Sequence, residues 1–288
     1  MCLAVMAIEA DRRFPLVVAS NRDEYFDRPT APLDWWQRSA DEGHVLGGRD
    51  LLSGGTWLGL SARGRLALLT NVRGVGPVDA DAPSRGAIVP AWLAAREPAD
   101  RFWTRCALSG HSGFNLLAAD FSSGDCFWAS NRSRYPVRLA KGVYGLSNAS
   151  LDTPWPKVQA LKARLRSAVA AATSVDALAQ RLFDALADRA VAPDDTLPQT
   201  GVPLAWERRL SAAFIASPDR HYGTRCSTLV ITERNAGTPV THLWERSFDA
   251  DGSVLATRRS QLRAWPPSQG MAGAEFQMRD AAVTAFAN

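Results

Sequence analysis

Cysteine is scarce in these 288 residues: there are four, at positions 2, 106, 126 and 226, too far apart for a CxxC pair. No Cys/His spacing suits a tetrahedral zinc, and His44, His111, His221 and His242 show no ligand spacing of their own, so no metal is expected. Long apolar runs are missing as well. Nothing approaches the ~18 consecutive apolar residues of a membrane-spanning helix. The charges, 33 Lys+Arg against 29 Asp+Glu, are dispersed and the positive ones are mostly Arg. With no block of like sign, neither a nucleic-acid groove nor a stable membrane anchor is indicated. The opening run MCLAVMAI gives way to Glu9-Ala10-Asp11-Arg12-Arg13 and lacks the basic start of a secretory leader, so a cytoplasmic chain with reduced thiols is expected. Gly47-Gly48 and Gly54-Gly55 are followed by no GK[ST], which makes them turn residues rather than a phosphate cradle.

What is present is an ordinary globular composition, 46% hydrophobic and 22% charged, with ten tryptophans, many for this length. Residues 2–8 and 16–20 read as strands joined by a polar turn at 9–15. Antiparallel pairing then places Cys2 at the same sheet edge as the tetrad Asn21, Arg22, Asp23 and Glu24 that follows the second strand. Residues 25–43, with Pro29 and Pro32, read as a covering loop, and 72–86 as another. Between them lie glycine-bearing turns at 46–50 and 54–55, a strand from Thr56 and another over 66–70, the last ending at Asn71. Two short helices are expected at 87–96 and 99–109, then a hairpin at 114–120 and 126–130, then short strands at 137–139 and 143–146 that lead to Asn148. The period changes to 3.6 over 155–172 (Leu161, Leu165 and Val169 on one stripe, Lys162, Arg164 and Arg166 off it), 175–187 (Ser174 as N-cap) and 204–216, with a proline-bearing linker at 191–203. It returns to two over 226–233, 240–247 and 254–261. Strands at both ends with helices between them imply one α+β domain over 1–264, best arranged as two antiparallel sheets with helices outside, and a tail at 265–288.

Five strand ends carry polar or reactive residues. Cys2 begins one, the 21–24 tetrad, Asn71 and Asn148 end three more, and Arg225 begins a fifth. If Met1 is removed, Cys2 bears a thiol (ordinary pKa ~8.5) and a free α-amine (~7.7–8.0) on one carbon, a nucleophile with its own weak base. An amide hydrolase also needs a carboxylate to hold that amine, amide donors for the tetrahedral oxyanion, and a cation to steady the charge. Each residue also has a plain reading. Asn21 and Asp23 could cap the chain as it leaves the strand, Asn71 and Asn148 precede loops, Arg22 and Glu24 could be a solvated pair, and Arg225 could meet a surface carboxylate.

The segments MCLAVMAI, SNRDE, GGTWLG, TNVRG, LSN and YGTRCST resemble the NRDE family, whose eukaryotic members are named for transport and Golgi organisation; the likeness runs from Met1 to about Gln261. It implies the four-layer αββα fold of the N-terminal-nucleophile hydrolases, near the choloylglycine hydrolase and penicillin V acylase branch. Carried over by position, Cys2 matches that branch's nucleophile, Asp23 its amine-holding aspartate, Asn71 and Asn148 its oxyanion and substrate-positioning asparagines, and Arg225 its strand-start arginine. Asn21, Arg22, Glu24 and Trp57 are the expected substrate-binding residues. One departure stands out: where the branch has an arginine three residues before the aspartate, this chain has Ser20. Strand alternation puts Arg22 and Asp23 on opposite faces, which counts against Arg22 as its replacement.

Two functions follow as expectations. One is hydrolysis of a small linear amide by Cys2, with no cofactor. The other, which the resemblance also implies, is non-enzymatic binding and trafficking of haem, acyl-CoA or another lipid on the same frame. In both the partner is a small molecule, and in both the loops at 25–43 and 72–86 shape the pocket.

Overall fold

Along the opening strand Cys2, Ala4 and Met6 alternate with Leu3, Val5 and Ala7, and both sets are apolar, so a period of two demands cover on each face. The computed structural model, which describes residues 2–39, 43–74, 81–235, 238–266 and 283–286, provides it. Strand β1 (Cys2–Ile8) pairs antiparallel with β2 (Leu16–Tyr25). They lie in a seven-stranded sheet with β10 (Gly142–Leu146), β11 (Tyr222–Asn235), β12 (Thr238–Phe248), β13 (Val254–Arg263) and β14 (Thr284–Phe286), in the order β10-β1-β2-β11-β12-β13-β14. A second seven-stranded sheet runs in chain order through β3 (Thr30–Trp36), β4 (Val45–Asp50), β5 (Leu58–Ser61), β6 (Arg65–Asn71), β7 (Phe114–Asp120), β8 (Asp125–Ser130) and β9 (Val137–Arg138). Every pairing is antiparallel.

Three apolar layers hold these sheets. Cys2, Ala4, Met6 and Val18 of the first sheet meet Leu46, Leu60, Leu66 and Leu68 of the second in the central layer. Leu3, Val5, Val17 and Ala19 face α3 (Pro156–Ala171) and α4 (Val175–Leu186), while Ala67, Leu116 and Ala118 face α1 (Ile88–Ala94) and α2 (Ala99–Ala107). The result is the expected four-layer αββα sandwich. A short α5 (Leu204–Leu210) lies over a smaller cluster with Ile215 and Tyr222.

Four local expectations are corrected. The 21–24 tetrad lies inside β2 rather than beyond its end, because β11 pairs along its other side as far as Tyr25. The covering loop at 25–43 contains β3, an edge strand whose register slips between Ala31 and Asp34, and an edge with a bulge is where Pro32 is tolerated. The third long helix stops at Leu210 rather than near 216, since the carbonyls of Ala213 and Ile215 are taken by Asn21 Nδ2 (2.8 Å) and Thr224 N (2.8 Å). Lys162, expected off the apolar stripe of α3, is buried and bonded to Asp152. Trp265, at the start of the expected tail, is fully buried in the central layer and donates to the Ser61 carbonyl at 2.9 Å. Most of the 72–86 loop's middle, residues 75–80, lies outside the described residues.

One buried titratable group bears on stability. His242 of β12 stacks on Trp244, and its Nδ1 accepts from Arg259 at 3.1 Å. Burial, reinforced by the Arg259 charge and opposed by Asp176, takes its pKa down to about 4. The unfolded chain, with an ordinary value near ~6.5, therefore binds this proton first on acidification. The contribution to stability is whole above that value and is lost as pH falls from there toward 4. Urea midpoints measured from pH 7 to pH 4 should decline less steeply for His242→Phe, which keeps the ring stack, than for the wild type.

Candidate active site

The register of the first hairpin sets the site. Cys2 stands directly opposite Arg22, so the two side chains share a face, and that face is the central layer between the sheets. A cleft of about 130 Å³ opens there, bordered by Cys2, Arg22 and Trp57 together with Asn71 at the end of β6. Asp23 and Glu24 reach its border from β2, and Arg28, Asp50 and Arg85 complete its charged rim.

Arg22 is 4% exposed, donates to Asp50 (3.0 Å) and Thr30 (3.2 Å), and lies 4.4 Å from the Trp57 ring centroid. The alternation expected from sequence does hold, since Asp23 points to the helix side. Its consequence is reversed: Arg22's face is the Cys2 face, so a guanidinium does enter the cleft although position 20 is serine. Ser20, on that same face, is buried. Trp57 is held flat against β4, where a Cβ on Gly48 would stand 2.4 Å from its ring.

Burial pushes the Cys2 thiol above its ordinary value; Asp23 and Glu24 add to this, while Arg22 opposes it. The resting thiol is thus protonated near neutrality and needs a base at the moment of attack. Asp23 is 1% exposed and accepts from Thr224 Oγ1 at 2.7 Å. Burial raises its pKa too, and the charge that most opposes the rise belongs to Lys157, buried in the first turn of α3. Lys157 in turn is lowered to about 8 by desolvation, with Asp23 resisting.

Asn71 borders the cleft, and its backbone carbonyl accepts from Asn148 Nδ2 at 2.9 Å. Asn148 is fully buried, and its Oδ1 accepts from Ser147, whose hydroxyl lies 3.2 Å from the Cys2 carbonyl as well. It is placed to hold Asn71 and does not border the cleft. Two other expected site residues are also elsewhere. Asn21 is on the helix face, where its Nδ2 donates to the Leu186 and Ala213 carbonyls (2.9 and 2.8 Å), tying helix ends to the sheet. Arg225 is the bulge residue of β11, unpaired between Thr224 and Cys226, and donates through Nη1 to the carbonyls of Tyr25, Phe26 and Arg28 (2.6, 3.3 and 3.0 Å). A guanidinium on three carbonyls shapes the 25–28 turn and does not reach Cys2.

Sequence reading missed Arg28, Asp50, Arg85 and Lys157. None carried a signal of its own: Asp50 followed a glycine turn, Arg28 and Arg85 were two arginines among many, and Lys157 was a lysine on an amphipathic helix. Among the described residues, no group of three His, Cys, Asp or Glu is placed to hold a metal ion, and no helix is long and apolar enough to cross a membrane.

Comparison with known proteins agrees with the motifs. The family model described as Transport and Golgi organisation 2 matches residues 1–250. A Transport and Golgi organization protein 2 homolog from Bos taurus is 35% identical over 281 residues, covering 92% of this chain and 94% of that protein. The Homo sapiens homolog is 33% identical over 262 residues, covering 86% of this chain and 87% of its own length. Among solved structures, an N-acylethanolamine-hydrolyzing acid amidase ortholog from Caenorhabditis elegans overlays with a TM-score of 0.47 at 11% identity, over 80% of this chain and 92% of that one. A conjugated bile acid hydrolase from Clostridium perfringens overlays at 0.38 and 9% identity, over 82% and 89%. Overlays this loose assign no residue a role. The family match over residues 1–250 does settle kinship: this chain belongs to the Transport and Golgi organisation 2 family.

Proposed function

We propose that this chain hydrolyses small amides with Cys2, freed of Met1, as the nucleophile. One observation carries the reading: Cys2 and Asn71 border one cleft, and Asp23, next to Cys2's strand partner Arg22, reaches its border from the other face of β2. Thiol and amine diverge from a single Cα, so each can meet its own partner. The α-amine takes the thiol proton as sulfur adds to the substrate carbonyl, and Asn71 donates to the oxyanion. Collapse breaks the C–N bond, the ammonium returns its proton to the leaving nitrogen, and an acyl-thioester remains on Cys2. Water, deprotonated by the same amine, then adds to the thioester and releases the acid. Asp23, whose negative charge Lys157 favours, orients the amine and stabilises its protonated form.

Binding of haem or acyl-CoA would need a different place, because either exceeds the Cys2 cleft. A cavity of about 580 Å³ lies at the far end of the β1–β2 hairpin, between Pro15, Phe121, Cys126 and Leu139, where the 21–24 tetrad takes no part. Binding of either ligand that fails on substitution of Phe121 or Leu139, and survives substitution of Arg22 or Glu24, would favour that reading over hydrolysis.

The test of the hydrolase is the mass of the N-terminal peptide before and after an acyl electrophile. The expected result is a peptide that starts at Cys2 and takes up one acyl group while Cys106, Cys126 and Cys226 take none. Burial holds those three high, Cys106 at about 11 and Cys126 at about 12, so they are poor competitors. Retained Met1 would remove the amine base from the mechanism.

A further inference from the structure

Three guanidiniums border the Cys2 cleft, and two of them are neutralised within the protein. Arg22 and Arg28 converge on Asp50 at 3.0 and 2.5 Å, and Glu24 lies 3.9 Å from each. Asp23, on the other face, answers to Lys157. Arg85 differs. Among the described residues it has no carboxylate at ion-pair distance, and its one hydrogen bond runs from Nη1 to the Gly113 carbonyl at 3.2 Å. It is half-buried, so its remaining N–H groups are partly stripped of water beside the cleft.

Its position is built in. Thr56 N donates to the Gly86 carbonyl at 3.1 Å, and a Cβ on Gly55 would stand 2.2 Å from that same oxygen. Only glycine at 55 lets the turn that carries Arg85 lie this close to the strand that follows. Ser84 also borders the cleft, and its hydroxyl makes no hydrogen bond to any described residue.

We propose that Arg85, with Ser84, forms an anion subsite of the cleft, so that the amide taken there carries a carboxylate, sulfonate or phosphate; this rests on the hydrolase reading above. A planar guanidinium with free donors matches such oxygens in bidentate fashion. Size adds a constraint. At about 130 Å³ the cleft is close to a cavity that holds benzene, so anion and scissile carbonyl are only a few bonds apart and the rest of the substrate leaves through the open mouth.

Iodoacetate and iodoacetamide test the subsite without a known substrate. Both alkylate a thiolate with loss of iodide and differ in charge, so the ratio of their rates at Cys2 cancels any effect of Arg85 on the thiol's own acidity. Rates are read from the mass of the peptide that carries Cys2. Arg85→Gln should lower the iodoacetate-to-iodoacetamide ratio about tenfold, as loss of one charge-assisted contact implies, and Arg85→Lys should restore part of it. A ratio unchanged in Arg85→Gln would overturn the subsite. A second arm uses only the wild type: N-acetylglycine, inorganic phosphate and neutral N-acetylglycinamide compete with iodoacetamide. Protection by N-acetylglycine marks a carboxylate, protection by phosphate marks a phosphate, and protection by neither, or equally by the neutral amide, overturns the proposal. A Cys2 that resists iodoacetamide altogether sinks the hydrolase reading and the subsite with it, whereas a reactive Cys2 indifferent to charge sinks the subsite alone.

Discussion

Cys2→Ala should lower turnover of any amide the wild type hydrolyses by at least about 10³-fold while leaving the chain folded, because the substitution removes the only atom that bonds to the substrate carbonyl. The fold has little reason to object. Cys2 opens β1 at the cleft end of the central layer, and alanine keeps the strand ladder opposite Arg22. Asn71→Ala should cost about 10²–10³-fold in kcat with KM little changed, the pattern of a donor that acts on the oxyanion. Asn148→Ala should behave differently. Its amide holds the Asn71 carbonyl from a fully buried position, so both kcat and the urea midpoint should fall together. Full turnover by Cys2→Ala would be enough to reject the mechanism.

Breaking the buried pair Arg73–Glu207 should give the largest loss of stability. The two are 2.9 Å apart with side chains 7% and 4% exposed, and Glu207 also accepts from Thr200 N and Oγ1 at 2.8 and 2.5 Å. Arg73→Met leaves that carboxylate buried with its main countercharge gone, a change worth about 3 kcal/mol in urea unfolding. The loss lies at the lower end of the usual range because Arg73 is itself poorly satisfied. Its Nε and Nη2 are buried without acceptors among the described residues, and burial lowers its pKa against the opposing charge of Glu207. Adding Glu207→Gln should recover much of the loss, since a neutral amide still accepts from Thr200. A double variant no more stable than Arg73→Met would show that the guanidinium matters through its packing on Trp155, 5.0 Å from the ring centroid, and not through charge.

The sandwich was legible because period-two runs at both ends of the chain flank period-3.6 runs in the middle, and the Cys2–tetrad edge followed from a single hairpin. What was hidden came from longer range. That β2 runs on to Tyr25 is decided by β11, some two hundred residues later, and no local propensity announces it. Alternation separated Arg22 from Asp23 correctly, yet which of them shares the Cys2 face depends on register, and the registered pair is Cys2 and Arg22. Asn21 looked like a site residue because it sits beside Arg22 and Asp23 in sequence, and Arg225 because it begins a strand and matches the family's arginine by position. Their side chains answer to backbone carbonyls whose arrival could be known only from the fold. Arg85 was one arginine among many until the Gly55–Gly86 contact brought it to Cys2.

The pairing of Cys2 with Arg22 also sets which length changes this chain can absorb. Residues 9–15 can be lengthened or shortened without altering the face of any residue in β2, since a turn carries no alternation. A single residue deleted between Leu16 and Ser20 would instead invert everything that precedes it against everything that follows. Either Arg22 would turn into the helix layer and Asp23 toward the thiol, or the apolar half of the strand would present its faces the wrong way round. Drift in length is therefore open to the turn and closed to the strand, and a relative with an insertion at 9–15 can keep a working cleft where one with a gap of one residue in β2 cannot.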